Sequence, residues 1–269
     1  MDRRAFLRSS GLFTGGALLG AASGSAAAEY SRHEHESLAG HAVGADRPAK
    51  LGATTIAYRT SCNEPLIALT FDDGPSTKYT SNVLDILDAK DVTATFFVIG
   101  KHAASLPALV RRAADRHEIG NHTWSHHNLS TGRARPVTRE LQRTEQEIRR
   151  ITGRAPTAFR PPYGCFSGAA AMAAVGMQYS IVLWDVKFNA EDSAASNLAR
   201  ITTKASAGSI VLAHDGGTLN NDVVVEALPL LIDGLRQRGL RFVTVSQLLR
   251  SATDQAATAP SSDRAGSGA

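Results

Sequence analysis

No stretch of this sequence holds the roughly 20 consecutive apolar residues that a membrane-spanning helix needs. The nearest approach, Gly11 to Ala22, has about a dozen mildly apolar residues, so a permanent anchor is the weaker reading of it. Cysteine is scarce. The two that occur, Cys62 and Cys165, have a spacing that does not suggest a cysteine metal site. Aromatics make up 6% of the chain, and no basic patch interleaves with them. The formal charge is only +4, and residues 1–28 contribute three Arg and one Asp to it, leaving 26 basic and 24 acidic residues, or +2. That balance argues against nucleic acid as a partner. What is present is ordinary for a globular protein: 43% apolar and 20% charged residues in a chain of 269, enough for one large domain or two small ones.

The first 28 residues read as an address. Arg3-Arg4-Ala5-Phe6-Leu7 precedes the mild apolar stretch, and Ala26-Ala27-Ala28 precedes Glu29. A charged start, an apolar middle and a small-residue cleavage site make an export signal, and the paired arginines resemble a twin-arginine type. Residues 29–60 read as a disordered linker, polar and then broken by Gly40, Gly44 and Pro48. Residues 251–269 have almost no apolar bulk and read as a disordered tail. In an exported protein Cys62 and Cys165 invite a disulfide; two independent small hydrophobes are the other reading.

Between these ends, residues 61–250 alternate strand and helix signals. Leu66-Ile67-Ala68-Leu69-Thr70 is an apolar run stopped at Asp72-Asp73-Gly74-Pro75, which reads as a buried strand opening into a loop. Six more strands are expected, near residues 94–99, 117–120, 157–160, 179–183, 209–212 and 241–245. Helices separate them, among them one from Leu106 with Pro107 in its first turn and one over Pro136 to Ile151 closed by Gly153. Such alternation predicts a parallel sheet with helical crossovers. Asp72, Asp73, His122, Arg160, Trp184 and His214 each fall at or just past the end of a different strand. A barrel gathers those ends into one ring, so a distorted β/α barrel of seven or eight strands is the expected fold.

The residues at those ends are ones that carry chemistry. Two adjacent carboxylates cost energy unless a cation or a proton resolves the repulsion; a pair in a solvated turn is the bland alternative. His122 and His126 stand at i, i+4, which puts both imidazoles on one side of a helical turn, as in zinc sites, though such a pair is often a solvated surface feature. Arg160 precedes Pro161 and Pro162 and matches a carboxylate in shape. His214 ends the apolar run Ile210-Val211-Leu212-Ala213, where a satisfied core histidine is the alternative.

Four segments in order, Thr70-Phe71-Asp72-Asp73-Gly74-Pro75, His122-Thr123-Trp124-Ser125-His126, Arg160-Pro161-Pro162-Tyr163-Gly164 and Leu212-Ala213-His214, resemble the successive motifs of the polysaccharide deacetylases, the NodB-homology family also called carbohydrate esterase family 4. The resemblance covers about Cys62 to Leu249. It implies a metal-dependent deacetylase acting on N-acetylglucosamine units of peptidoglycan or a chitin-like polymer outside the cytoplasm; a monomer is the expected state, though no motif in the sequence sets it. It implies that Asp73, His122 and His126 hold a divalent metal, usually Zn2+, with Co2+, Ni2+ or Mn2+ as other occupants. Asp72 is then the general base, oriented by Arg160, and His214 the general acid. The backbone N–H of Tyr163 helps stabilise the oxyanion, and Leu212 and Trp184 shape a pocket for the acetyl methyl. The same family includes O-acetyl xylan esterases, and a non-catalytic wall-polysaccharide binder is a reading from another class.

One segment departs from the family pattern. After the fifth-strand Trp the family carries an Asp-x-x-Asp-Trp-like run whose second Asp partners the acid histidine. Here Lys187 and Ala190 stand at the aspartate positions and no Trp follows. Asp185 and Asp192 are the candidates left to partner His214.

Overall fold

The computed structural model describes residues 54–258 apart from Gly132 and Leu219. The export signal expected over 1–28 lies outside the described residues, as does most of the 29–60 linker. Nine strands form one sheet: β1 (Ile56–Ala57), β2 (Leu66–Asp72), β3 (Thr95–Val98), β4 (Glu118–Asn121), β5 (Ala158–Phe159), β6 (Ser180–Val182), β7 (Val186–Lys187), β8 (Ile210–His214) and β9 (Arg241–Val243). Their order is β1-β6-β5-β4-β3-β2-β8-β7, with β9 paired to the start of β2. Every strand pair is parallel. Among the described residues eight helices accompany them: α1 (Tyr79–Ala89), α2 (Gly100–Ser105), α3 (Pro107–Arg116), α4 (Ala134–Thr152), α5 (Gly168–Gly176), α6 (Ala194–Lys204), α7 (Asp222–Gln237) and α8 (Val245–Thr258). None is long and apolar enough to cross a membrane.

β2 is the axis. All seven of its residues are buried, because helices cover one face and the barrel interior the other. Ile67, Leu69 and Phe71 face outward, onto Leu84 and Leu87 of α1, Val110 of α3 and Leu228 of α7. Leu66 and Ala68 face inward, onto Phe97, Val182, Ile210 and, from α8, Val245 and Leu248. A third layer packs Phe159 and Ile181 on Leu141 of α4 and Ala174 of α5. Each large apolar side chain so buried contributes about 1.5–3 kcal/mol relative to exposure.

The sheet curls because of a short connection. Only Leu183, Trp184 and Asp185 separate β6 from β7, a span of at most about 14 Å. Yet β6 and β7 lie towards opposite ends of the pairing order. The connection is bonded to both sides: Leu183 N–H donates to Ala57 O (2.7 Å) and Asp185 N–H to Ile210 O (3.3 Å). Thr60 N–H donates to Gly208 O (2.8 Å) along the same seam. The result is the expected curled β/α barrel.

Four details differ from the sequence expectation. β1 lies inside the stretch expected to be linker, held by backbone bonds that its own sequence does not announce. β7 is a two-residue strand where a loop was expected. α2 precedes the expected Leu106 helix, which begins at Pro107. α8 runs to Thr258, into the expected tail, because Val245 and Leu248 plug the barrel floor. The Ala134–Thr152 helix ends as read, at a left-handed Gly153 (φ 73°) whose N–H bonds Arg149 O.

No disulfide joins Cys62 to Cys165. Cys62 precedes β2, at the barrel end where strands begin, and its Sγ lies 3.6 Å from Ser251 Oγ. Cys165 follows β5, at the end where strands finish. A bridge needs Cα atoms within about 7 Å, and the strands stand between them.

Candidate active site

Asp72 is the last residue of β2 and points into the barrel, two residues beyond Thr70 on the same face. Its Oδ1 accepts from Arg160 Nη1 at 2.8 Å. Arg160 is fully buried, and each guanidinium nitrogen is used: Nη1 also donates to Thr70 Oγ1 (2.8 Å), Nε to Val182 O (3.1 Å) and Nη2 to Leu183 O (3.0 Å). Its plane lies over the Phe97 ring at 4.2 Å. A buried charge pair is stable only when its remaining donors are satisfied, as they are here. Burial pushes the Arg160 pKa down and Asp72 opposes that.

Asp73 turns the other way, in a left-handed conformation (φ 71°). Such a backbone costs a non-glycine residue about 1–3 kcal/mol and clusters at functional sites. Its Oδ1 lies 3.4 Å from His122 Nε2 and 3.1 Å from His126 Nε2. His122 Nδ1 donates to Arg160 O at 2.7 Å, because a carbonyl can only accept. With Nδ1 so committed, Nε2 is the His122 nitrogen that faces the carboxylate. Asp73 Oδ1 is buried without a hydrogen-bond partner. Burial pushes the Asp73 pKa up, but the two imidazoles outweigh it and hold the carboxyl well below the usual range. For His122, burial disfavours the charged form, Asp72 and Asp73 favour it, and the balance is upward.

These three ligand atoms lie within 4.8 Å of one another. Two imidazole nitrogens and a carboxylate oxygen converging on one point, with an outer hydrogen bond orienting one imidazole, fit a divalent cation.

The histidine pair does not converge as expected. Residues 122–126 are not helical. Thr123 (φ 66°) and His126 (φ 62°) are both left-handed, and Thr123 Oγ1 accepts from His126 N–H at 3.0 Å. The loop is pinned from outside by Glu140, whose Oε2 accepts from Ser125 N–H (2.8 Å). The structure brings the two residues of the i, i+4 pair together, though not through the helical turn that the spacing predicts.

His214 ends β8 in register with Asp72. Burial lowers its pKa, against Asp72 and Asp73. Neither candidate partner reaches it. Asp185 accepts from Ser209 Oγ and Ile210 N–H, both at 2.8 Å, at the opposite end of β8. Asp192 pairs with Arg200 at 3.5 Å. The connection through Asp185 is committed to closing the barrel, which takes that carboxylate away from the rim.

Tyr163 is left-handed (φ 61°, ψ 8°), with its ring exposed and 4.8 Å from the His126 ring. Next to it Gly164 (φ 69°) packs so close to Trp184 that a Cβ would lie 3.0 Å from the indole. Tyr163, Trp184, Leu212 and His214 line one cleft of about 1060 Å³ with the two aspartates and two histidines. The sequence reading missed Thr70, which the alternation with Asp72 signals, and His102, whose Nδ1 lies 2.9 Å from Asp73 O with no motif to mark it.

A profile described as Polysaccharide deacetylase matches residues 59–182. A peptidoglycan-N-acetylglucosamine deacetylase of Bacillus cereus is 36% identical over 200 residues, 72% of this chain and 93% of that protein. The chain belongs to the polysaccharide deacetylase family. The curated relatives of this polysaccharide deacetylase are named as deacetylases, consistent with hydrolysis of an amide bond. Peptidoglycan-N-acetylmuramic acid deacetylase PdaC of Bacillus subtilis is 36% identical over 191 residues, covering 69% of this chain and 39% of that one. Among solved structures, a peptidoglycan N-acetylglucosamine deacetylase bound to a hydroxamate aligns with a TM-score of 0.69 at 34% identity, over 71% of this chain and 91% of that one. The profile match to this polysaccharide deacetylase stops before Trp184, Leu212 and His214, whose place at the site rests on the geometry.

Proposed function

We propose that this polysaccharide deacetylase is exported and removes acetyl groups from N-acetylated aminosugar units of a cell-wall polysaccharide. Peptidoglycan is the first candidate, because the relatives above carry that name. The observation that carries the reading is Asp73 Oδ1, without a hydrogen-bond partner, facing the Nε2 atoms of two imidazoles, beside a second carboxylate held separately by Arg160.

Asp73, His122 and His126 would hold the metal, with zinc the best match to two nitrogens and one oxygen. When bound, such a cation polarises a carbonyl and brings a water pKa towards about 7. The chain's own groups do the rest. Asp72, held by Arg160 through Oδ1, takes the proton of the attacking water through its second oxygen. The amide N–H of Tyr163 donates to the oxygen on which negative charge develops. His214, across the strand register from Asp72, gives its proton to the departing amine, which cannot leave as an anion. Leu212 and Trp184 enclose the acetyl methyl and keep water from the other side.

The test is acetate release by purified protein loaded with zinc or cobalt, on chitooligosaccharides, soluble peptidoglycan fragments and acetylated xylan. Release from the first two supports the proposal. Release from xylan alone makes it an esterase, and release from none overturns it.

A further inference from the structure

We infer that Lys187, with Lys101 on the facing wall, selects a glycan carrying carboxylates close to the N-acetyl group under attack. This deepens the proposed function and rests on it. Lys187 lies on β7 between Val186 and Phe188, which both pack outward into the helix layer. Strand alternation therefore turns Lys187 to the cleft. Its register partner is Leu212, two residues before His214, and its neighbour Phe188 N–H donates to Leu212 O at 2.8 Å. Arg200 Nη1 clamps the Lys187 carbonyl at 2.6 Å, so the backbone that carries the ammonium is held.

Lys101 is on α2, which follows β3, on the other side of β2 and β8 in the sheet order. The two lysines thus flank the aspartates and His214. Both are exposed in the cleft, and no carboxylate lies within ion-pair distance of either among the described residues. Of the remaining lining residues outside the proposed catalytic set, Glu191 is the acidic one. The aspartates do not offset the lysines, since Asp72 is paired with Arg160 and Asp73 faces the histidines. A cleft flanked by unpaired cations attracts anions and offers a neutral chain no electrostatic gain. A neutral chitin chain gives these ammonium groups nothing to bind. An aminosugar chain bearing lactyl-ether or peptide carboxylates does.

The experiment compares wild type, Lys187→Gln, Lys101→Gln and Lys187→Arg. The substrates are a neutral chitin oligomer, a soluble glycan with lactyl carboxylates, the same glycan with its peptides, and both glycans after their carboxylates are converted to methyl amides. Each Gln variant is expected to raise KM for the carboxylate-bearing glycans about three- to tenfold, with kcat nearly unchanged and the chitin KM unmoved. Lys187→Arg restores the KM, and amidation abolishes the difference between wild type and variants. A response with lactyl carboxylates alone assigns the contact to the sugar; a response that needs peptides assigns it to them. Equal KM changes on neutral and charged glycans, or none, overturn the inference. Direct binding of the charged fragments to wild type and Lys187→Gln, by calorimetry, reads the same contrast without turnover, so loss of all acetate release would sink the proposed function and still leave this one decided.

Discussion

Arg160 Nη1 and Asp72 Oδ1 stand 2.8 Å apart inside the barrel, and neither residue is appreciably exposed. The pair links β5 to β2 across the interior, and it is the most fully bonded ionic contact at the site. Removing one member leaves the other charged and buried. Arg160→Ala is therefore expected to destabilise the fold by about 3–5 kcal/mol, and Arg160→Lys, which cannot reach all four acceptors, by less. Denaturant unfolding measures both. Arg160→Lys should retain the fold and lose most acetate release; full activity in it would show that Asp72 needs no fixed partner.

Loading the site should stabilise the protein. At a free cation concentration 100 times its Kd the gain is about 2.7 kcal/mol. For a domain of this size that is a rise of about 5–10 °C in Tm. His126 keeps a fifth of its side chain exposed, so His126→Ala should fold normally. Its zinc affinity should fall at least about 100-fold, and the thermal shift with it. An unchanged shift in that variant would place the cation elsewhere.

His214 faces the leaving group in the proposed reaction. His214→Gln should lower kcat for an N-acetyl substrate by about 10²–10⁴. The loss on an O-acetyl ester should be smaller, because an alkoxide leaves more readily than an amide anion. Equal losses on both would assign His214 to binding rather than to protonation.

A pH effect is expected far from the cleft. His117 is buried, and burial lowers its pKa to about 4, with Asp88 opposing and Arg116 and Arg112 adding to the fall. In the unfolded chain the value is near 6.5. Between those limits the unfolded state binds the proton and the folded state does not. The stability attached to the neutral ring is thus complete above about pH 6.5 and is lost as pH falls towards 4, by about 3 kcal/mol. The difference in unfolding free energy between wild type and His117→Gln, followed from pH 7 to 4, measures it. A difference that does not change with pH would mean that the ring takes up its proton in the fold as readily as in the unfolded chain.

The sequence alone was enough for much of this. A continuous apolar run ending at Asp72-Asp73 reads as a buried strand, and strand–helix alternation then points to a parallel sheet. Asp72, Asp73, His122, Arg160 and His214 fall at or just past strand ends, because strand ends are where apolar runs stop and polar chemistry can begin. Tertiary structure decided what local pattern does not encode. The turn of Thr123 and His126 into left-handed backbone, which brings two imidazoles onto Asp73, depends on Glu140 from a distant helix. The three-residue crossing from β6 to β7 closed the barrel, spent Asp185 on that closure and aimed Lys187 at the cleft. Cys62 and Cys165 were separated by the length of the strands between them. Such outcomes follow from contacts between residues remote in the chain, whose energies no single stretch of sequence contains.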